Sequence, residues 1–490
     1  MATPRPTQSP APPTTTPNGA AATELARHLA GRHVHFVGIG GCGMSGLARM
    51  TRQHGAICTG SDLAGSSVTE GLAADGVDVA LHQTADSVPA ACELLVASAA
   101  IKPDHPELVE ARRRNIPIIK YARMLGELMR QRCGVAVAGT HGKSTTTSML
   151  SHILLQAGLD PSFIVGANCT QIGGGARTGK AGPDGALIAE ACEYDRSFHN
   201  LHPTHAVILN VEADHLDMYA SLDEIVEAFA VFAQRVPAEG SLLINHEMGP
   251  RLTITAGLDC KVETLGFAYQ ADWRVGMKAG EVRLHHKGDP VAEWHSPMPG
   301  EHMAYNAAAA AITAHRLGAP WDAITRAIES FQGLDRRMQA IGTRPPGDGP
   351  LSERVLVIDD YGHHPTEVDT TLRALRQHYQ PQRLICVFQP HQHSRTRFLM
   401  QQFAVSFSEA DIVIVPHIYF VRDSEQERHA VTAGDLVDRL RQKKVNAMHL
   451  YPFEAIVDQL QTITRPGDLV VTMGAGDVWK IAHQFLNATP

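Results

Sequence analysis

Short apolar runs alternate with stretches of helical period along most of this chain, and the alternation restarts twice. Residues 34–38, 57–60, 94–97 and 116–119 read as strands, with helical segments such as 46–50 and 122–129 between them. A second series has strands at 135–138, 186–189 and 206–210, short antiparallel strands within 261–298, and an alanine-rich helix at 306–315. A third has strands at 355–358, 384–388, 412–415 and 469–472, with a helical spacer at 365–378. Strands alternating with helices predict an α/β chain built on parallel, doubly wound sheets. The chain's 490 residues exceed one comfortable core. Breaks in the pattern place domains at 23–133, 134–342 and 343–490, the last beside the turn-rich segment 343–350. Residues 1–22, rich in Pro, Thr and Ala without a basic start or apolar centre, read as a disordered tail. No internal repeat is evident.

Composition narrows the function classes without choosing one. Apolar residues at 44% and charged residues at 19% are ordinary for a globular protein. A net charge of −8 argues against general nucleic-acid binding. No apolar run is long enough to span a bilayer, so a membrane partner is not expected. The eight cysteines are scattered and form no CxxC pair. Cys42 and Cys133, beside glycines on strand-to-loop segments, suit reduced, buried thiols, and a cytosolic compartment fits this usage. Among 27 histidines, two groups stand out: His215, closing Asn210-Val-Glu-Ala-Asp-His215, and the pair His363-His364.

Two glycine loops carry the first chemical signal. Gly139-Thr140-His141-Gly142-Lys143-Ser144-Thr145 lies between a predicted strand and a predicted helix. That context aims backbone N–H groups and a helix N-terminus at one phosphate cluster. Lys143 adds a point charge for the outer phosphates, and Ser144 or Thr145 a hydroxyl for Mg²⁺. The first glycine stands three residues before Gly142, where the common P-loop has five. ATP is the expected ligand. The earlier loop, Gly38-Ile39-Gly40-Gly41-Cys42-Gly43, satisfies GxGxxG, with Asp62 near the end of the next strand. On motif alone this predicts an NAD site with Asp62 on the ribose. Its glycines only allow backbone to approach a pyrophosphate, and a UDP-linked ligand accounts for both loops at once.

The loop continuing to Gly46, Gly60-Ser61-Asp62 and residues 139–145 together resemble the muramyl ligases of peptidoglycan synthesis. Further matches are Glu190 with Glu193, residues 210–215, Pro299-Gly300-Glu301-His302 with Asn306, and Arg336-Arg337-Met338-Gln339. The series ends with residues 359–367, Phe388-Gln389-Pro390-His391 with Ser394-Arg395-Thr396, and Gly474-Ala475-Gly476, in order along almost the whole chain. The resemblance implies three α/β domains: a Rossmann-like UDP-sugar domain, a central P-loop ATPase domain and a C-terminal Rossmann-like domain that binds the amino acid. It implies that L-alanine joins the lactyl carboxylate of UDP-N-acetylmuramate through an acyl phosphate, with ATP and Mg²⁺. Oligomeric state stays open between monomer and homodimer.

Residue roles follow from the same resemblance. Gly139, Thr140, His141, Gly142, Lys143, Ser144 and Thr145 would hold the nucleotide phosphates, with Asn306 and Arg337 completing the nucleotide contacts. Ser144 and Glu190 would take one Mg²⁺ and His215 a second, with Glu193 the competitor of Glu190. Glu190 is preferred because it directly follows strand 187–189 and would emerge at its carboxyl end. His363 and His364 would position the amine or take its proton, one of them instead capping the helix begun by Pro365. Arg395 would bind the amino-acid carboxylate or phosphate, and Tyr361 the substrate. Gly40, Gly41, Cys42, Gly43, Met44 and Ser45 would contact the UDP phosphates, and Asp62 and His82 the uridine. The chain departs from the family at Ser144, usually Thr, at Met303, usually Asn, and at Gln392, usually Arg.

Three alternatives stand beside this reading. A recycling activity that adds a ready-made tripeptide to the same UDP-sugar uses related motifs, but its first loop typically lacks the run kept here at residues 40–45. An NAD-dependent oxidoreductase leaves the second loop and residues 210–215 unexplained. A lapsed nucleotide-binding regulator is hard to reconcile with Lys143, Glu190 and His215.

Overall fold

The computed structural model of the chain describes residues 17–347 and 350–488. These form two compact units: residues up to Cys133 with Ala176–Gly185 and Asn200–His202, and the remainder. The expected tail at residues 1–22 lies mostly outside the described residues, and from Pro17 to Arg27 the chain is a helix. Its Ala22 and Ala26 are buried, and Arg27 Nε donates to Glu127 Oε2 at 2.9 Å. Burial of these two alanines helps to order the segment.

The first unit is a five-stranded parallel sheet in the order Asp78–Ala80, Ile57–Ser61, His33–Val37, Leu94–Ala97, Ile118–Lys120. Strand order reverses direction at His33–Val37, which is where open α/β sheets bind ligands. The glycine loop leaves that strand and enters the helix Cys42–Gln53. Beneath it the fully buried His35 bridges Thr59 Oγ1 and Glu107 Oε2, both at 2.8 Å, and Ser61 Oγ donates to Glu107 Oε1 at 2.7 Å. Each polar atom in this core thereby has a partner.

In the second unit a sheet runs in the order Asp289–His295, Glu281–His286, Trp273–Lys278, Lys261–Gly266, Ser241–Asn245, His205–Ile208, Cys133–Ala138, Ala186–Ala191, Ser162–Ile164. The antiparallel expectation for 261–298 holds only from Trp273 onward: Lys261–Gly266 pairs parallel with Ser241–Asn245 and extends the α/β sheet. Glu301–Arg316 is longer than the alanine run that signalled it, and the buried Ala307 to Ala311 let it pack closely against Lys143–Gln156.

A six-stranded sheet closes the chain, in the order Gln339–Arg344, Val355–Asp360, Asp468–Met473, Arg383–Phe388, Ile412–Val415, Ala447–His449. Only its edge strand Gln339–Arg344 is antiparallel; it begins a few residues before the turn-rich stretch that marked the change of pattern. Asp359 and Asp360 end the strand Val355–Asp360 and bring residues 361–364 to the carboxyl edge of the sheet.

Candidate active site

Every residue of the strand Cys133–Ala138 after Cys133 is buried, so the loop that follows starts from a fixed platform. Gly139 and Gly142 take positive φ, 142° and 84°, and Gly142 is the N-cap of Lys143–Gln156. A Cβ at Gly142 would stand 2.7 Å from Asn306 Oδ1, so glycine is required there for both reasons. The loop is knit to residues 210–212. Asn210 Oδ1 accepts from His141 N at 2.7 Å, Asn210 O accepts from Thr140 N at 3.2 Å, and Thr140 Oγ1 accepts from Glu212 N at 2.9 Å. Asn306, expected on adenine or ribose, is buried directly beneath Gly142.

Lys143 Nζ lies 3.0 Å from Glu193 Oε2, and it donates to the Gly139 carbonyl and, at 3.1 Å, to that of Thr140. Burial works against the ammonium, but the Glu193 carboxylate outweighs it and the pKa is raised. His215 Nε2 is 3.6 Å from the same carboxylate, while its buried Nδ1 has no hydrogen-bond partner among the described residues. Glu193 therefore stands between the loop lysine and His215. The strand Ala186–Ala191 runs on past residue 189, so Glu190 lies within it and accepts from Gly166 N, and Glu193 lies beyond the strand's carboxyl end. The premise for preferring Glu190, that it emerges where the strand stops, does not hold. Ser144 is nearly buried in the first turn of the helix.

The C-terminal segment supplies the facing groups. His364 caps the helix Pro365–Tyr379, and Glu367 completes the capping box by accepting from His363 N at 2.9 Å and His364 N at 3.2 Å. His363 Nδ1 is 3.0 Å from the Tyr361 carbonyl, so the proton sits on Nδ1 and Nε2 keeps its lone pair. Burial holds the His363 imidazole neutral, with its pKa pushed down to about 4. Arg395 forms a two-pronged pair with Asp214, Nε and Nη2 both 2.9 Å from Oδ1. Burial opposes ionisation of Asp214, yet Arg395 and the neighbouring histidines hold its carboxyl far below the usual range. His391 Nδ1 is 3.1 Å from Arg395 Nη1, and burial pushes its pKa down to about 3. Arg337 approaches Glu367 at 3.5 Å and lies over the Tyr361 ring.

Asp214, His215, Gln392 and Arg395 line one small cleft. Gln392, where the resemblance leads to an expectation of arginine, is buried at φ 68°, and its Nε2 has no hydrogen-bond partner among the described residues.

In the first unit Asp62 Oδ2 accepts from Gly40 N at 2.8 Å, and Oδ1 from Leu63 N at 2.8 Å. Asp62 thus organises the loop itself, a role the ribose or uridine reading did not include. His82 is exposed. Cys42, expected to be buried, is exposed at the first turn of Cys42–Gln53, and Cys133 is half-buried.

Three family models cover the chain in order: the Mur ligase catalytic domain at residues 33–133, the Mur ligase middle domain at 137–314, and the Mur ligase glutamate ligase domain at 336–476. The chain belongs to the Mur ligase family. Among its relatives, the UDP-N-acetylmuramate–L-alanine ligase of Geobacter sp. (strain M21) is 38% identical, with 92% of this chain and 96% of the relative covered. That of Caldanaerobacter subterraneus subsp. tengcongensis is 37% identical over 93% and 97%. The fold matches the crystal structure of the UDP-N-acetylmuramate–alanine ligase of Thermotoga maritima, with a TM-score of 0.71 and 24% identity over 93% of this chain and 98% of that one.

Glu212, Asp214, Glu367 and His391 lie in segments that the resemblance had marked, yet no role was assigned to them. The signal for Glu367 was its place three residues after His364 at a Pro-started helix; Asp214 and Glu212 had only their company.

Proposed function

We propose that this Mur ligase forms the amide bond between L-alanine and the lactyl carboxylate of UDP-N-acetylmuramate, converting ATP to ADP and phosphate. The observation that carries the reading is the convergence of Lys143, Glu193 and His215 at the phosphate loop with Arg395 and His363 from the C-terminal segment. One cluster thus offers phosphate contacts, a guanidinium and a neutral base. The relatives at 37–38% identity named above carry the same activity in their names.

A carboxylate resists amines until it is activated, so the γ-phosphoryl moves first onto the lactyl carboxylate and ADP leaves. The loop amides and Lys143 hold the phosphates and offset the charge that builds on the transferring group. The amine of L-alanine then attacks the acyl phosphate and expels phosphate. His363 takes the amine's proton at Nε2, the nitrogen left open because Nδ1–H is committed to Tyr361. Arg395, kept rigid by Asp214, presents its remaining donors to the amino-acid carboxylate or to the acyl phosphate. The residues present fit Mg²⁺: Ser144 and Glu193 offer hard oxygens, and His215 has an imidazole nitrogen without a partner among the described residues. The ion would supply further neutralisation of phosphate charge. Glu190 is the second carboxylate of this set. The first unit, through Gly40, Gly41, Gly43 and Ser45, receives the UDP moiety.

The test is phosphate release with UDP-N-acetylmuramate, ATP and Mg²⁺ while the amine is varied. Release with L-alanine and none with a tripeptide is expected. Release with the tripeptide alone would assign the recycling activity instead.

A further inference from the structure

Outside the Lys143–Glu193–His215 cluster, a second set of side chains converges where the phosphate loop meets the C-terminal helix. His141 Nε2 lies 3.6 Å from Glu212 Oε2, and His364 Nδ1 lies 3.7 Å from the same oxygen. The three ligand atoms fall within 4.8 Å of one another. Adjacent ligands of a tetrahedral ion with bonds of about 2.0–2.1 Å stand roughly 3.4 Å apart, so a small contraction would close the set.

The orientation of both rings points the same way. His141 Nδ1 is 3.2 Å from Glu367 Oε1, and its buried Nε2, without a hydrogen-bond partner among the described residues, faces Glu212. Against burial, the two carboxylates push the ring's pKa up to about 9, so an ion would displace the Nε2 proton. His364 Nε2 is 3.2 Å from the Ala213 carbonyl, which leaves Nδ1 as the lone pair facing Glu212. A carboxylate behind one ring and a backbone carbonyl behind the other form the outer support that metal-binding histidines use. The Thr366 amide reaches His364 Nδ1 at 3.3 Å and its hydroxyl donates to Glu212 Oε2, so an ion would displace the first contact and share the oxygen with the second, while Glu367 keeps the amides of His363 and His364. Glu212 and Glu367 together balance the charge of a dication.

We propose that His141, Glu212 and His364 bind a late first-row divalent cation of the Zn²⁺ class, which ties the phosphate loop to the C-terminal helix Pro365–Tyr379. Two imidazoles and one carboxylate select such an ion over Mg²⁺, which prefers oxygen ligands. The two sites share no ligand: the Mg²⁺ set uses Ser144, Glu190, Glu193 and His215. Because one ligand comes from the C-terminal segment, the ion holds that segment against the loop and slows turnover wherever release requires opening.

Co²⁺ is the probe, titrated into the full chain in excess Mg²⁺ without nucleotide. One equivalent should develop the visible bands of four-coordinate Co²⁺, and Zn²⁺ should displace it. Glu212→Gln and His364→Asn should abolish the bands, His364→Cys should restore them, and Glu367→Gln should weaken binding about 10–100-fold. Zn²⁺ at one equivalent should lower kcat in Mg²⁺ and a chelator should restore it. Absence of bands, or titrations of the two ligand variants that match the unsubstituted protein, would overturn the site. Should the variants not fold, X-ray absorption on the unsubstituted Zn²⁺ protein decides: two imidazoles support the site, and fewer refute it. Turnover unaffected by bound Zn²⁺ refutes the tie.

Discussion

The chain contains two glycine loops of nearly the same design, and their environments differ in one respect that decides their chemistry. Each leaves a buried parallel strand, turns through glycines and enters a helix. In the first, residues 38–43, a carboxylate faces the loop: Asp62 accepts the Gly40 amide. In the second, residues 139–142, an ammonium rises from the loop, and Lys143 is held against Glu193. A backbone already satisfied by an acid offers the amides of the next helical turn as a passive seat. A loop that carries its own cation, restrained by a displaceable carboxylate, can follow charge that moves during reaction. The first loop therefore suits binding and the second suits catalysis, although a glycine pattern alone reads the same in both.

Removing the cation should break the comparison most severely. Lys143→Ala is expected to lower phosphate release by about a thousandfold or more. Affinity for UDP-N-acetylmuramate, measured by calorimetry, should persist. Loss of both would contradict the division of labour between the loops.

Gly142→Ala should come next. The added Cβ meets Asn306 Oδ1 at 2.7 Å and the residue must hold φ 84°. Strain and overpacking together should cost about 2 kcal/mol in thermal unfolding, and turnover should fall with it, since the loop cannot keep its shape.

The second loop is also the one with histidines around it, and pH can separate the two. His363 has its folded pKa pushed below the ordinary histidine value, to about 4. A lowered histidine contributes stability that is present above about pH 6.5 and is lost as pH falls toward 4. The contribution is on the order of 3 kcal/mol. Unfolding measured across that window should be less pH-dependent in His363→Asn than in the unsubstituted protein; equal slopes would refute the buried neutral imidazole. Asp62→Ala acts on the first loop alone. By freeing the Gly40 amide it should raise KM for the UDP-sugar roughly tenfold and leave KM for ATP unchanged.

Much of this was legible in the sequence because strand, glycine loop and helix follow one another locally. Lys143, His215 and Arg395 were identifiable from residues adjacent in the chain. The charge partners were not, since they come from distant segments: Glu193 pairs with Lys143 across 50 positions and Asp214 with Arg395 across 181. The preference for Glu190 over Glu193 failed to foresee two more residues of strand, a boundary that apolar periodicity cannot place when the strand end is polar. The antiparallel reading of 261–266 failed for a related reason. An isolated strand's alternation is the same whichever direction its neighbour runs. Cys42 read as buried because a glycine-rich strand exit looks like core, whereas the helix turns that side chain outward.

The smallest effect is the most discriminating, because it asks what a glycine is for. Gly41 has an ordinary φ of −64°, and the nearest atom to an added Cβ would be the Gly38 carbonyl oxygen at 3.6 Å. The fold itself therefore tolerates a side chain there, unlike at Gly142. Gly41→Ala should change stability by less than about 1 kcal/mol, since only the N-cap preference is altered. If the first loop seats a diphosphate against bare backbone, KM for the UDP-sugar should still rise several-fold while unfolding is almost unchanged. At Gly142 stability and turnover must fall together. A Gly41→Ala protein with unaltered stability and unaltered KM would mean that no ligand approaches this turn closely, and the loop would be a structural glycine turn.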